Sequence, residues 1–87
     1  MPRIDLDVSN LEPCEPMERI LLGAENLKTG DWLRVVHRRE PNPLFPLLQK
    51  RGFEWIMQTL GDDGVVLRIW LQGDGAAREA AGADRGL

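Results

Sequence analysis

The sequence predicts an α+β fold, a two-layer α/β sandwich with the element order β-α-β-α-β-β. Three observations predict it. Residues 4–8 alternate strictly between apolar and polar, residues 16–27 and 44–51 carry apolar stripes at helical spacing, and a four-residue turn interrupts the strand-like residues 53–71. A β-α-β start favours a right-handed crossover, so we expect both helices on one face of the sheet and the other face open.

The first strand and the first helix follow from the spacing of their apolar residues. Residues 4–8 place three apolar side chains on one face and two aspartates on the other. The helix predicted over residues 16–27 begins with Pro16, a residue suited to the first helical position. Thr29-Gly30 ends the helical pattern. Residues 32–37 then read as a second strand that has apolar residues on both faces.

The second helix follows a proline-rich loop. Residues 38–43 form this loop, because Pro41 and Pro43 restrain Glu40 and Asn42 to extended conformations. Leucines then recur at spacings of three and four residues, and Gly52 after a basic pair is a typical helix stop. Pro46 predicts either a distorted first turn or a regular helix that begins nearer Phe45.

The chain is predicted to end in a hairpin and a tail. Residues 53–60 and 65–71 form two antiparallel strands on either side of a Gly-Asp-Asp-Gly turn. From residue 73 no large apolar side chain precedes Leu87, so this stretch cannot bury enough surface to order itself. We therefore expect one domain over residues 1–72 and a flexible Gly/Ala-rich tail over residues 73–87, within which a transient turn of helix would lie around Ala76 to Ala81.

The predicted core collects the apolar residues that the strands and helices direct between sheet and helices. These residues are Ile4, Leu6, Val8, Met17, Ile20, Leu21, Ala24, Leu33, Val35, Leu44, Leu47, Leu48, Phe53, Trp55, Met57, Val65, Leu67 and Ile69.

Composition excludes several classes of protein. A net charge of −3 and a pI near 5.0 argue against nucleic acid as a partner. No apolar run approaches the roughly 20 residues that a membrane-spanning helix needs. The single cysteine cannot form an internal disulfide, and the residues after Met1 have no apolar leader segment. We expect a cytoplasmic protein without membrane contact.

Topology predicts a candidate site at one edge of the sheet. If the first two strands are parallel, the loops after them leave the same edge, where parallel α/β structures tend to bind ligands. These loops carry Cys14, Glu15, His37, Arg38 and Arg39. Helix N-termini and two arginines there would favour a thiolate at Cys14 or a bound anion. The alternative is a small buried cysteine beside a solvated loop.

His37, the only histidine, has two interpretations. It would either donate to a loop carbonyl and hold the proline-rich turn, or act as a metal ligand or proton-transfer group near the thiol. One histidine and one cysteine cannot complete a tetrahedral zinc site, so a transition metal would also need carboxylates such as Glu12, Glu15 or Glu40, or a second chain.

The open face of the predicted sheet carries aromatic and basic residues. Trp32, Arg34, Arg68 and Trp70 fall on it by alternation, together with apolar side chains. Tryptophan and arginine are enriched in interfaces, so this face would bind a partner or a second copy of the chain. Scattered surface aromatics are the alternative.

Two quoted stretches carry a resemblance to a known family. "LDVSNLEPCEPMERI" resembles the opening of the TusA/SirA-like sulfur-carrier proteins, and Pro-Cys-Glu-Pro here stands in place of their Cys-Pro-x-Pro motif. "LEPCEPM" with "VVHRREPNPLFPLLQKRGFEW" is similar to an uncharacterised bacterial branch of that superfamily, a domain of unknown function. The resemblance covers residues 4–71. It implies a sheet order of 1-2-4-3 and a larger redox, sulfur-transfer or metal-containing partner.

These observations favour a small non-enzymatic binding or sulfur-handling adaptor. No nucleophile–base–acid triad, phosphate-binding glycine loop or cysteine cluster is present in the sequence. The resemblance implies a persulfide on Cys14 as the form that would carry sulfur. The alternatives are a protein-interaction module that uses the open sheet face, and a metal-binding protein that uses His37.

Overall fold

The computed structural model describes residues 3–7, 15–38 and 40–84, except for the side chains of Glu15, Pro16 and Asp63. Its strands are β1 (Arg3–Asp7), β2 (Trp32–His37), β3 (Phe53–Thr59) and β4 (Val65–Leu71). Its helices are α1 (Glu15–Glu25), α2 (Leu44–Lys50) and α3 (Gly75–Ala83).

The four strands form one mixed sheet in the order β1-β2-β4-β3. β1 and β2 are parallel, and Leu6 lies opposite Val35 in their register. β4 is antiparallel to both of its neighbours, with Leu67 opposite Val35 on one side and Met57 on the other. The predicted α+β class, the parallel β-α-β start and the sheet order are confirmed.

The main core lies between the sheet and helices α1 and α2. It is formed by apolar side chains that alternate along the strands or recur at helical spacing: Ile20, Ala24, Leu27, Leu33, Val35, Leu44, Leu48, Phe53, Leu67 and Ile69. Ile4 was expected in this core, but its side chain is exposed because β1 is an edge strand. Val8 lies outside the described residues.

Helix α2 begins at Leu44 despite the proline two residues later. Pro46 is tolerated because the first-turn amides of a helix have no intrahelical partner. The backbone N–H of Leu44 donates to Pro41 O at 2.9 Å and starts the turn. Gly52 follows the C-terminal end with φ near 87°, a conformation that favours glycine, so the predicted stop is confirmed.

The structure differs from the predicted flexible tail. Residues Gly75–Ala83 form α3, which packs on the sheet face opposite α1 and α2. Ala77 and Ala81, one turn apart, are buried against Trp32 and Trp70 in a second apolar cluster. Large apolar residues are not needed in this helix because the sheet supplies them. The face predicted to be open is therefore partly covered by the chain itself.

No α-helix in residues 15–38 or 40–84 combines the length and the apolar character needed to cross a bilayer.

Candidate functional site

The sheet edge predicted as a site is only partly described. His37 ends β2 opposite Val65 of β4, and Arg38 follows it with an exposed side chain. Cys14 and Arg39 lie outside the described residues, and the side chain of Glu15 is also not described. The predicted proximity of Cys14 and His37 thus stays a prediction.

The turn between β3 and β4 closes against this edge. Gly64 has φ near 107°, and a Cβ atom placed on it would lie 2.3 Å from the backbone oxygen of His37. Only a residue without a side chain permits this approach. His37 therefore lies where the backbone of β2 packs tightly on the β3–β4 turn.

A metal site at His37 also stays a prediction. Among the side chains that the structure describes, no group of three or more His, Cys, Asp or Glu is arranged to hold a metal ion. The cysteine and two of the carboxylates proposed as co-ligands, Glu12 and Glu15, are outside that set. The transition metal and the persulfide both stay predictions.

The predicted partner surface is fully described and is here called the tryptophan–arginine face. It comprises Trp32, Arg34, Arg68 and Trp70 on the two central strands. Trp32, Arg68 and Trp70 are each 3% exposed, and the Arg34 side chain is 12% exposed. These residues do lie together as predicted, but under α3 rather than in open solvent.

An aspartate fixes the N-terminal end of α3. The Asp74 carboxylate accepts from Ala77 N at 3.2 Å, which caps the helix, and from Gly30 N at 2.7 Å. Gly30 is buried in the turn before β2. The same side chain therefore stabilises the helix end and joins it to the sheet domain.

A second aspartate fixes the C-terminal end of α3 in a cluster of arginines. The Asp84 carboxylate lies 3.2 Å from Arg68 Nε, 3.5 Å from Arg3 Nη1 and 3.8 Å from Arg34 Nε. Asp5 also approaches Arg3 and Arg34, at 3.2 and 3.8 Å. We call Arg3, Arg34 and Arg68 the arginine cluster.

Two N–H donors of the arginine cluster have no hydrogen-bond partner among the described residues. Arg68 Nη1 donates to Gln58 Oε1 at 3.2 Å. Arg68 Nη2 and Arg34 Nε are both buried and have no hydrogen-bond partner within the described part of the chain. Buried donors of a charged group are costly when unpaired, so each such atom requires an explanation.

Open space borders α3 along β3. A groove of about 580 Å³ contains Trp55, Trp70 and the exposed Ile56 on the sheet side, and Arg78 on the helix side. A smaller cavity of about 170 Å³ adjoins the arginine cluster and is lined by Gln58, Arg68 and Asp84 among others. The indole N–H of Trp70 donates to Glu54 at 3.0 Å beside the larger groove. The helix thus covers the tryptophan–arginine face incompletely.

Sequence reasoning missed the aspartates that complete this face. Asp74 stands directly before a run of small helix-forming residues, which is the position of an N-cap. Ala77 and Ala81 recur at a spacing of four, the spacing of one helical stripe. Trp32 and Trp70, two large apolar residues on a face predicted to be open, were a further signal that a helix could pack there.

Most of the chain matches one family of known proteins. The family model described as "Uncharacterized conserved protein (DUF2249)" matches residues 5–71, which include all of β2–β4, α1 and α2 and end before α3. Neither a curated protein nor a solved structure matches the chain. The match is silent on the sulfur-carrier resemblance, which stays a prediction.

Proposed function

Because the chain belongs to the DUF2249 family, whose description names no activity, we propose from its geometry that it is a non-enzymatic interaction module. Its working surface is the tryptophan–arginine face. The partner is a larger protein that presents an acidic helical segment rich in small residues, and this segment binds in place of α3.

One observation carries the proposal: the face already holds a helix of this kind. α3 contacts Trp32 and Trp70 through alanines and places an aspartate in the arginine cluster. The helix lies outside the family match, whereas the surface beneath it lies inside. A surface that binds such a helix within its own chain has the shape and charge to bind one from another protein.

The chemistry of the face defines the partner. Small side chains are needed over the tryptophans, because α3 approaches them with alanines alone at its buried positions, Ala77 and Ala81. An acidic residue is needed at the end near Arg34 and Arg68. Tryptophan and arginine are the residue types that contribute most to binding in protein interfaces.

A peptide binding experiment tests whether the face accepts a helix in trans. The probe is a fluorescent peptide with the sequence of residues 74–84, titrated into the full chain and into its Asp74→Ala variant. We expect tighter binding to Asp74→Ala, because its own helix competes less. A matched peptide with glutamate at the position of Ala81 should not bind. Equal binding of both peptides, or of neither, would contradict the proposal.

Photo-crosslinking in cells tests for the partner itself. A photoreactive residue at Ile56, exposed beside the face, is compared with one at Leu22, exposed on α1 at the other layer. We expect an adduct at Ile56 and none at Leu22. The crosslinked site in the partner should lie in an acidic segment that is rich in residues with small side chains. Adducts of equal yield at both positions would refute the assignment of the face. An adduct with a second copy of the chain would identify a homodimer instead.

We also propose that the protein is cytoplasmic and that its partner is a redox protein or a metalloprotein, as the sequence predicts. Both proposals are compatible with an interaction module. Sulfur handling at Cys14 and metal binding at His37 are separate predictions. Thiol alkylation of the folded chain and a metal titration of His37→Ala against the natural chain test them.

A further inference from the structure

The Asp84 carboxylate satisfies the arginine cluster only in part. Its Oδ2 accepts from Arg68 Nε at 3.2 Å and stands 3.8 Å from Arg34 Nε, beyond hydrogen-bond distance. Its Oδ1 is directed to Arg3 Nη1 at 3.5 Å, the limit of a hydrogen bond. The carboxylate therefore makes one good hydrogen bond among three arginines.

The unused donors lie where a second and third oxygen of an anion would bind. In a guanidinium group Nε and Nη2 form one edge, the edge that pairs with two oxygens of a carboxylate or phosphate. Asp84 uses only Nε of this edge in Arg68, and Nη2 is buried without a partner in the described residues. Arg34 Nε is unpartnered in the same way.

Space is available beside Arg68, the arginine that lines the smaller cavity. The cavity of about 170 Å³ is lined by Arg68, Gln58 and Asp84. One water needs about 10–15 Å³ of such volume, so the cavity has room for an ion of several atoms. Asp84 follows the last helical residue, Ala83, so its side chain can turn outward while Ala77 and Ala81 stay packed.

We propose that Arg34 and Arg68 form a binding site for a tetrahedral oxoanion, phosphate or sulfate, and that Asp84 occupies this site when no external anion is bound. A tetrahedral ion offers more oxygens than a carboxylate, so its oxygens can be shared among Arg68 Nε, Arg68 Nη2 and Arg34 Nε. The inference does not depend on the proposed helix partner, because the ion replaces one side chain and leaves the helix in place.

Titration of the full chain with inorganic phosphate and with sulfate tests the site. The readout is the set of arginine Nε–H signals in ¹H–¹⁵N NMR spectra at constant ionic strength. Asp84→Asn should bind phosphate at least about tenfold more tightly than the natural chain, equivalent to about 1.4 kcal/mol, because the internal competitor is gone. Arg68→Lys and Arg34→Lys in that background should lose this gain, because lysine lacks the paired donors. Arg51→Lys, far from the site on the α2 side, is the matched control.

Each outcome decides the inference. Phosphate binding that is equal in Asp84→Asn and in the natural chain, or that survives Arg68→Lys as well as Arg51→Lys, would overturn it. Acetate binding without phosphate binding would also overturn it and would assign the site to carboxylates. If Asp84→Asn releases α3, seen in the helix amide signals, Arg68→Lys in the otherwise natural chain is compared with the natural chain instead and should abolish its phosphate binding; unchanged binding would overturn the inference. Titration with methyl phosphate distinguishes a free ion from a phosphate group on a larger molecule. Failure of the peptide experiment would leave these titrations unaffected.

Discussion

Replacement of Asp74 by alanine tests how α3 is held on the sheet. The substitution removes two hydrogen bonds at once, from Ala77 N and from Gly30 N. Loss of an N-cap costs about 1 kcal/mol. The amide of Gly30 lies in a buried turn, and a buried donor left unpaired costs about 1–3 kcal/mol. Together these losses predict a decrease of about 2–4 kcal/mol in the stability of the docked helix.

Two companion variants separate the contributions. Asp74→Asn retains one acceptor oxygen and remains a good N-cap, so it should lose only about half of this free energy. Asp31→Ala is the matched control in the neighbouring turn. Its carboxylate accepts from Lys28 N at 3.4 Å in an exposed setting, and we expect a change below about 0.5 kcal/mol.

Hydrogen exchange measures this decrease in stability at the two backbone amides that donate to Asp74. The amides of Gly30 and Ala77 should lose protection in Asp74→Ala by the factor that corresponds to 2–4 kcal/mol, about 30- to 1,000-fold. Amides of the main core should change little if α3 detaches alone. Amide exchange rates of Gly30 and Ala77 in Asp74→Ala that stay within about a factor of two of those in the natural chain would refute the conclusion that Asp74 holds α3 on the sheet.

Two further substitutions test contacts elsewhere in the sheet. Gly64→Ala should destabilise the fold by several kcal/mol, on the order of 3, in denaturant titrations, because its Cβ would meet the His37 carbonyl oxygen and its φ is positive. Gly75→Ala, where a Cβ meets nothing within 4 Å, is the control and should be neutral or slightly stabilising. Glu54→Ala should cost about 0.5–1.5 kcal/mol by removing the hydrogen bond from the Trp70 indole N–H, whereas Glu54→Gln should recover most of it. Equal stability of the two Glu54 variants would contradict this explanation.

The sequence was sufficient for the sheet and for the two helices of the main core because their periodicity is strong. Alternation in β2 and β4 sets which side chains share a face, and the register confirms it, with Arg34 opposite Arg68. The same alternation placed Trp32 and Trp70 together on the second face. Periodicity therefore predicts which face of the sheet a side chain lies on. It does not predict which element packs on that face.

Helix α3 escaped prediction because its free energy does not come from its own side chains. Alanine and glycine contribute little apolar surface, and a rule that counts large apolar residues assigns such a segment to disorder. The helix forms because Trp32 and Trp70 provide the apolar surface on which it packs. Asp74 and Asp84 provide the polar contacts that hold its two ends on the sheet. These are long-range contacts, and the spacing of residues within one segment does not reveal them.

The composition of α3 also determines how readily a partner could replace it. Each of the buried side chains, Ala77 and Ala81, adds a single methyl group, worth about 0.8 kcal/mol on burial. The groove of about 580 Å³ beside the helix leaves Ile56 exposed. A partner helix with one leucine directed into that groove would gain about 1.5–3 kcal/mol, as much as both alanines together or more. Such a helix would replace α3 only if it also carried an acidic residue for Arg68 and an acceptor for the Gly30 amide, because Asp84 and Asp74 hold the two ends of α3. The alanines alone contribute little to the retention of α3, so a partner that supplies these two acceptors and one larger apolar side chain is suited to exchange with it.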